Sequence, residues 1–157
     1  VDTEGFELSD EAEVKGSLRD MTKLAHAYAE ATTAKISLIV GKAYGPAYIA
    51  LAGKGANADL TYAYPVAVIS PLAPETAVEF LKHDELKGAA DLDKKRKELA
   101  DEYCANEASA FKAAEDNCID DIIDPADTRA TIIMYSTLVL YFSLPIVYLT
   151  IQLIKTV

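Results

Sequence analysis

Ile36-Ser37-Leu38-Ile39-Val40 leads through Gly41 into Lys42-Ala43-Tyr44-Gly45-Pro46-Ala47-Tyr48 and on to Ile49-Ala50-Leu51-Ala52. The first five residues are β-branched or apolar almost throughout, the composition of a strand covered on both faces. Gly41 to Gly45 reads as a turn. Pro46 then opens a short helix of small residues, closed by Gly53 and Gly55, because proline suits a first helical position and glycine a helix end. A buried strand turning into a helix argues for an α/β fold.

The flanks agree with that class. On the N-terminal side, Asp10 followed by Glu13 has the spacing of a capping box. Val14, Leu18, Met21, Leu24 and Tyr28 recur at steps of three and four, which predicts one apolar helix face ending near Ala31. On the C-terminal side, residues 60–64 and 66–69 predict two short strands split by Pro65. A helix is expected from Pro74, with Glu75 in its first turn. Between Asp91 and Asp116 a charged, Ala-rich pattern anchored by Leu92, Leu99, Tyr103 and Phe111 predicts two helices broken near Asn106. Ile119 to Ile123 is a short extended piece, and Asp124-Pro125 caps a last helix carrying Asp127 in its first turn.

Composition narrows the function. The 157 residues suit one domain with a sizeable core, and 51% hydrophobic with 25% charged residues is the balance of a folded chain. A net charge of -10 repels phosphate backbones, so no nucleic-acid partner is expected. A small phosphate-bearing ligand is not excluded, because a helix N-terminus or a few lysines can hold phosphates locally. Cys104 and Cys118 form no CxxC pair and read as reduced thiols of a cytoplasmic protein. His26 and His83 fall on separate predicted helices, and no metal-ligand spacing appears, so no metal site is expected. No signal-peptide pattern is visible, and the opening at Val1 without Met reads as a chain entered midway.

The turn at Gly45 has two readings. One is a tight strand-to-helix connection that needs glycine's backbone freedom. The other is an anion site, since helix N-termini present unpaired N–H groups at a positive dipole end. Spacing alone favours the first. Lys42 and Lys54 flank the turn and could meet an anionic partner, but solvated charges are the favoured reading. Asp120-Asp121 suggests acid–base work on composition, yet adjacent residues of an extended piece point to opposite sides, which favours capping and tethering. Arg129 is expected to bridge to Asp120 or Asp121, or to cap a helix. Lys94-Lys95-Arg96-Lys97, among acidic neighbours, reads as a solvated helix face.

Four segments then combine into a resemblance. Val1-Asp2-Thr3-Glu4-Gly5-Phe6 resembles the VDxPGF segment of biotin-dependent acyl-CoA carboxyltransferases. Lys42 to Tyr48 is similar to that family's KAYGGAY, and Tyr62-Ala63-Tyr64-Pro65 to its YAWP. Residues 119–129 resemble its DDIIxPxxTR signature. Propionyl-CoA, methylmalonyl-CoA and glutaconyl-CoA subunits share this layout, and residues 70–78 look nearest to the sodium-pump decarboxylase kind.

The resemblance implies a crotonase-like fold, present as part of the C-terminal carboxyltransferase half over residues 1–131, with an apolar helix and tail over 132–157. It implies transfer of a carboxyl group between carboxybiotin and an acyl-CoA. Biotin would arrive covalently on a carrier domain or subunit. The acyl-CoA would be held mostly by the N-terminal carboxyltransferase half, with sites formed between subunits of a homo-oligomer. Catalysis of this kind needs no side-chain nucleophile, because backbone amides hold the oxyanions. Carried over by position, those donors fall on Pro46 and Ala47. Gly45, Pro46 and Ala47 are therefore the expected catalytic turn, and Tyr44, Tyr48 and Tyr64 the expected pocket walls. Pro46 departs from the pattern because it has no N–H. Losing one such donor typically costs about 2.7 to 4 kcal/mol of transition-state stabilisation, so a modified site is expected.

From Ala130 to Ile154 no residue is charged. The length permits a membrane span, but Pro145 interrupts it and Thr131, Ser136, Thr137, Ser143 and Thr150 dilute it. Tyr135, Tyr141 and Tyr148 are amphipathic. A helix followed by a β-rich or subunit-contacting tail is favoured over a membrane anchor or a segment foreign to the family, whose own tail is polar and basic beyond about residue 139. Two rival functions follow: a non-catalytic piece that supports an oligomer, and a membrane-associated subunit of a decarboxylase pump.

Overall fold

Gly16 divides the predicted first helix in two. It adopts φ 85°, a left-handed conformation that ends α1 (Asp10–Lys15) and starts α2 (Ser17–Glu30) in a new direction. Ser9, not Asp10, caps α1, its hydroxyl accepting the Ala12 N–H at 3.1 Å. The apolar positions from Leu18 to Tyr28 fall on α2 and Val14 on α1, and neither helix buries a residue. Val14 is 89% exposed.

The computed structural model describes residues 1–138 except 8, 52 and 57. The expectations for the tail beyond 138 lie outside the described residues. After α2 come β1 (Ile36–Ile39), β2 (Lys42–Tyr44), α3 (Gly45–Ala50), β3 (Leu60–Ala63) and β4 (Val68–Ser70). Four helices follow: α4 (Pro74–Leu81), α5 (His83–Lys87), α6 (Leu92–Asn106) and α7 (Ala110–Glu115). β5 (Asp121–Ile122) then leads to a 3-10 turn, Pro125–Asp127, and residues 128–138 are helical. The described residues divide into two units, Val1–Ile123 and one that begins at Asp124.

All strand pairing between these elements is parallel. β3 lies between β1 and β5 in one sheet, with Leu38 opposite Tyr62 and Tyr62 opposite Asp121. β2 and β4 form a second sheet, with Tyr44 opposite Ser70. The two strands predicted on either side of Pro65 thus belong to different sheets. Lys42–Tyr44, expected as a turn, is a strand because both of its edges are satisfied. β4 lies on one side, and Thr3 on the other, donating to Lys42 O at 2.7 Å and accepting from Tyr44 N at 3.2 Å.

The main core is built from Ile39, Ala43, Ala63, Ala67, Ala110, Ala113 and Ile119. Its many alanines let β2, β3 and α7 approach closely, at the cost of apolar area per residue. A satellite core of Val78, Leu86, Leu99 and Ala100 joins α4, α5 and α6. Of the predicted anchors, Leu99 is buried, whereas Leu92 and Phe111 are largely exposed. The basic run on α6 is not wholly solvated either: Arg96 pairs with Glu79 of α4 at 2.9 Å and with Asp93 at 3.0 Å.

Candidate functional site

The four sequence motifs meet in pairs. Asp2 Oδ1 accepts the Lys42 N–H at 2.7 Å, Thr3 pairs with Ala43, and Glu4 forms an ion pair with Lys42. The first motif is therefore a brace for the second. The third and fourth join through β3 and β5, where Asp120 grips Thr61 twice. Asp120 N donates to Thr61 O at 2.8 Å, and Asp120 Oδ2 accepts from Thr61 N at 2.7 Å. Tethering, as expected of Asp120, is what the geometry shows. Its ion-pair partner is Lys54 at 2.8 Å, and Asp121 Oδ1 accepts from Ile122 N. Asp124 caps the 3-10 turn by accepting the Ala126 N–H at 2.8 Å.

Tyr44 ends β2 in an extended conformation, and Gly45 takes φ 58°. A Cβ added there would lie 3.1 Å from Pro71 O, so residue 45 is confined by both backbone angle and space. Pro46 sits in the first turn of α3 and is exposed, while Ala47 is 4% exposed. Among the described residues, the Ala47 N–H has no hydrogen-bond acceptor. That is the state expected of an early helical amide whose partner is not in the helix.

Gly45 and Pro46 open onto a cavity of about 950 Å³. Tyr48, Ile49, Ile69 and Pro71 give it apolar walls, and Lys54, Asp116, Asn117 and Cys118 supply polar ones. Of the residues expected from sequence, the structure brings Gly45, Pro46 and Tyr48 to this space. Ala47, Tyr44 and Tyr64 are not among its lining residues. Burial raises the Tyr44 pKa, as does the nearby Cys104 thiol, while Lys42 works against both. Burial likewise raises the Tyr48 pKa, an effect that the Lys54 backbone partly offsets. Both tyrosines are neutral at physiological pH, which argues against acid–base roles; of the two, only Tyr48 lines the cavity.

Lys54 is the residue that sequence reasoning misplaced. It is no solvated charge: its ammonium donates to Asn117 Oδ1 at 2.9 Å and Ile119 O at 3.2 Å, and contacts Asp120 Oδ1 at 2.8 Å. Burial acts to raise the Asp120 pKa. The Lys54 hydrogen bond, the Thr61 amide and the Lys54 charge together outweigh it and hold the carboxyl below its usual value. No local signal marks this contact, because its acceptors lie far along the chain.

Residues 1–141 match the family model described as the carboxyl transferase domain. The chain is 42% identical over 133 residues to the carboxyltransferase subunit of propionyl-CoA carboxylase from Haloferax mediterranei, a match covering 85% of this chain and 26% of that protein. It is 37% identical over 133 residues to the alpha subunit of methylmalonyl-CoA decarboxylase from Propionigenium modestum, covering 85% and 26%. The solved transcarboxylase 12S hexamer, with methylmalonyl-CoA and methylmalonic acid bound, superposes with a TM-score of 0.77 at 38% identity, over 87% of this chain and 27% of that one. The chain thus spans about a quarter of the length of the curated relatives it matches. Its parallel α/β arrangement is part of a crotonase-like carboxyltransferase fold. Among the described residues, no helix is long and apolar enough to cross a membrane.

Proposed function

Because the chain belongs to the carboxyl transferase domain family, we propose that it supplies the biotin side of a site that transfers a carboxyl group between carboxybiotin and an acyl-CoA. The observation that carries this reading is the Gly45–Ala47 turn. It stands where the family motif falls and opens on a cavity through Gly45 and Pro46, and the Ala47 amide that follows them has no acceptor among the described residues. The space and its apolar walls suit a small bicyclic ring, within the range of small-ligand pockets. Biotin, when bound, supplies a ureido nitrogen that carries the carboxyl group.

The chain's own contribution is electrostatic and positional. Tyr48, Ile49 and Pro71 give the cavity an apolar side, against which a hydrogen bond is stronger than in open water. Ala47 N–H is the donor for a developing oxyanion, and the adjoining position, Pro46, donates nothing. The carrier domain, the N-terminal carboxyltransferase half and further copies of the subunit complete the assembly, in the cytoplasm.

Pro46→Gly in the assembled enzyme tests this reading. Restoring a second amide at position 46 raises the rate of carboxyl transfer from methylmalonyl-CoA to free biotin at least tenfold, part of the hundred- to thousand-fold that one donor typically supplies. Absence of transfer in both the parent enzyme and Pro46→Gly would overturn it. It would instead support the second reading, a non-catalytic piece of an oligomer, which the missing amide of Pro46 favours.

A further inference from the structure

We propose that Lys54 is a positioning residue of this cavity: its ammonium group clasps the segment after α7 and fixes the wall formed by Asp116, Asn117 and Cys118. The inference rests on the carboxyl-transfer reading and deepens it.

An ammonium has three hydrogens, and Lys54 has three acceptors: Asn117 Oδ1, Ile119 O and Asp120 Oδ1. It is therefore occupied as a tie and not free to meet an anionic ligand. What it ties is a specific piece of backbone. Helix α7 ends in a Schellman arrangement, with Cys118 N donating to Ala113 O at 2.7 Å and Asn117 N to Ala114 O at 3.0 Å. Asn117 occupies the left-handed position of that motif, φ 59°, which asparagine tolerates better than most residues with a Cβ. Its side chain is then aimed at Lys54, and Cys118 follows at the cavity edge.

The other end of the tie is equally placed. Lys54 and Gly55 line the same cavity as the Gly45–Pro46 turn. The Tyr48 ring rests against Gly53, where an added Cβ would come within 3.1 Å of its Cζ. The loop after α3 and the end of α7 thus form walls of one space, and Lys54 joins them. The β5 register does not depend on this lysine, because Asp120 holds Thr61 through its own backbone and carboxylate. Loss of the ammonium loosens the wall while the sheet persists.

The test uses the assembled enzyme, with free biotin as acceptor and methylmalonyl-CoA as donor. Lys54→Met is expected to raise KM for biotin about tenfold with kcat within threefold of the parent, Asn117→Ala to give a smaller rise, and Lys54→Arg to recover at least half of the loss. A purely structural lysine would lower the melting temperature and leave KM of the folded enzyme unchanged. That result for a folded Lys54→Met overturns the proposal. Where Lys54→Met fails to assemble, Asn117→Ala decides in the same way. An inactive parent enzyme removes the carboxyl-transfer reading itself, an outcome distinct from an active parent with unaltered KM in the variants.

Discussion

Pro71 O stands 3.1 Å from where a side chain at Gly45 would begin, so the carbonyl after β4 polices the turn after β2. The two residues sit at matching ends of paired parallel strands, and the sheet itself imposes the restriction. Gly45→Ala is expected to lose about 1–2 kcal/mol of stability from the left-handed backbone angle alone. On the proposed function, carboxyl transfer by the assembled enzyme should fall at least tenfold as the turn shifts to relieve the contact. Denaturant midpoints and turnover measured side by side check both; full activity in Gly45→Ala would refute the confinement.

Asp120 makes folding sensitive to acid. Its carboxyl titrates below the ordinary aspartate value of 3.8, so the folded state binds fewer protons there than the unfolded one. The contribution is complete above that value and is lost as pH falls through the lower folded one. Stability of the parent chain should thus drop more steeply below about pH 4 than that of Asp120→Asn. Urea titrations at pH 6 and pH 3 measure the difference in slope.

Thr61 carries a different cost. It is fully buried, its backbone N–H and C=O are both used by Asp120, and its hydroxyl has no partner among the described residues. Valine keeps the shape and removes the unmet group, so Thr61→Val should gain about 1 kcal/mol. A lowered unfolding midpoint would show that the hydroxyl is bonded in solution.

The two thiols should differ in reactivity. Burial raises the Cys104 pKa, and the charges of Asp101 and Glu75 push it the same way, whereas Cys118 is exposed. Iodoacetamide at pH 7.5 should alkylate Cys118 well before Cys104, because the thiolate is the reacting form. Peptide mass mapping over time reads the order directly.

Local chemistry made much of the fold legible. Pro74, the break at Asn106, the Asp124 cap and the apolar run of β1 each announce themselves through nearest neighbours, and each element is where those signals put it. Long-range partners were invisible. Lys42–Tyr44 is too short for periodicity and is a strand only because Thr3 and β4 flank it. A lysine bound to three acceptors reads the same in sequence as one in water, so the contacts of Lys54 were hidden. The candidate turn itself was visible through its motif, but which of Tyr44, Tyr48 and Tyr64 reaches the cavity depends on tertiary packing, and of these three Tyr48 does.

Helix α2 has a consequence for measurement. Fourteen residues with none buried are close to the length at which a helix in water barely holds. Its amide protons should therefore exchange quickly when the Leu18–Leu24 stripe is bare and slowly once another surface covers it. Deuterium uptake confined to residues 17–30 would then serve as a built-in gauge of assembly, readable without any substrate.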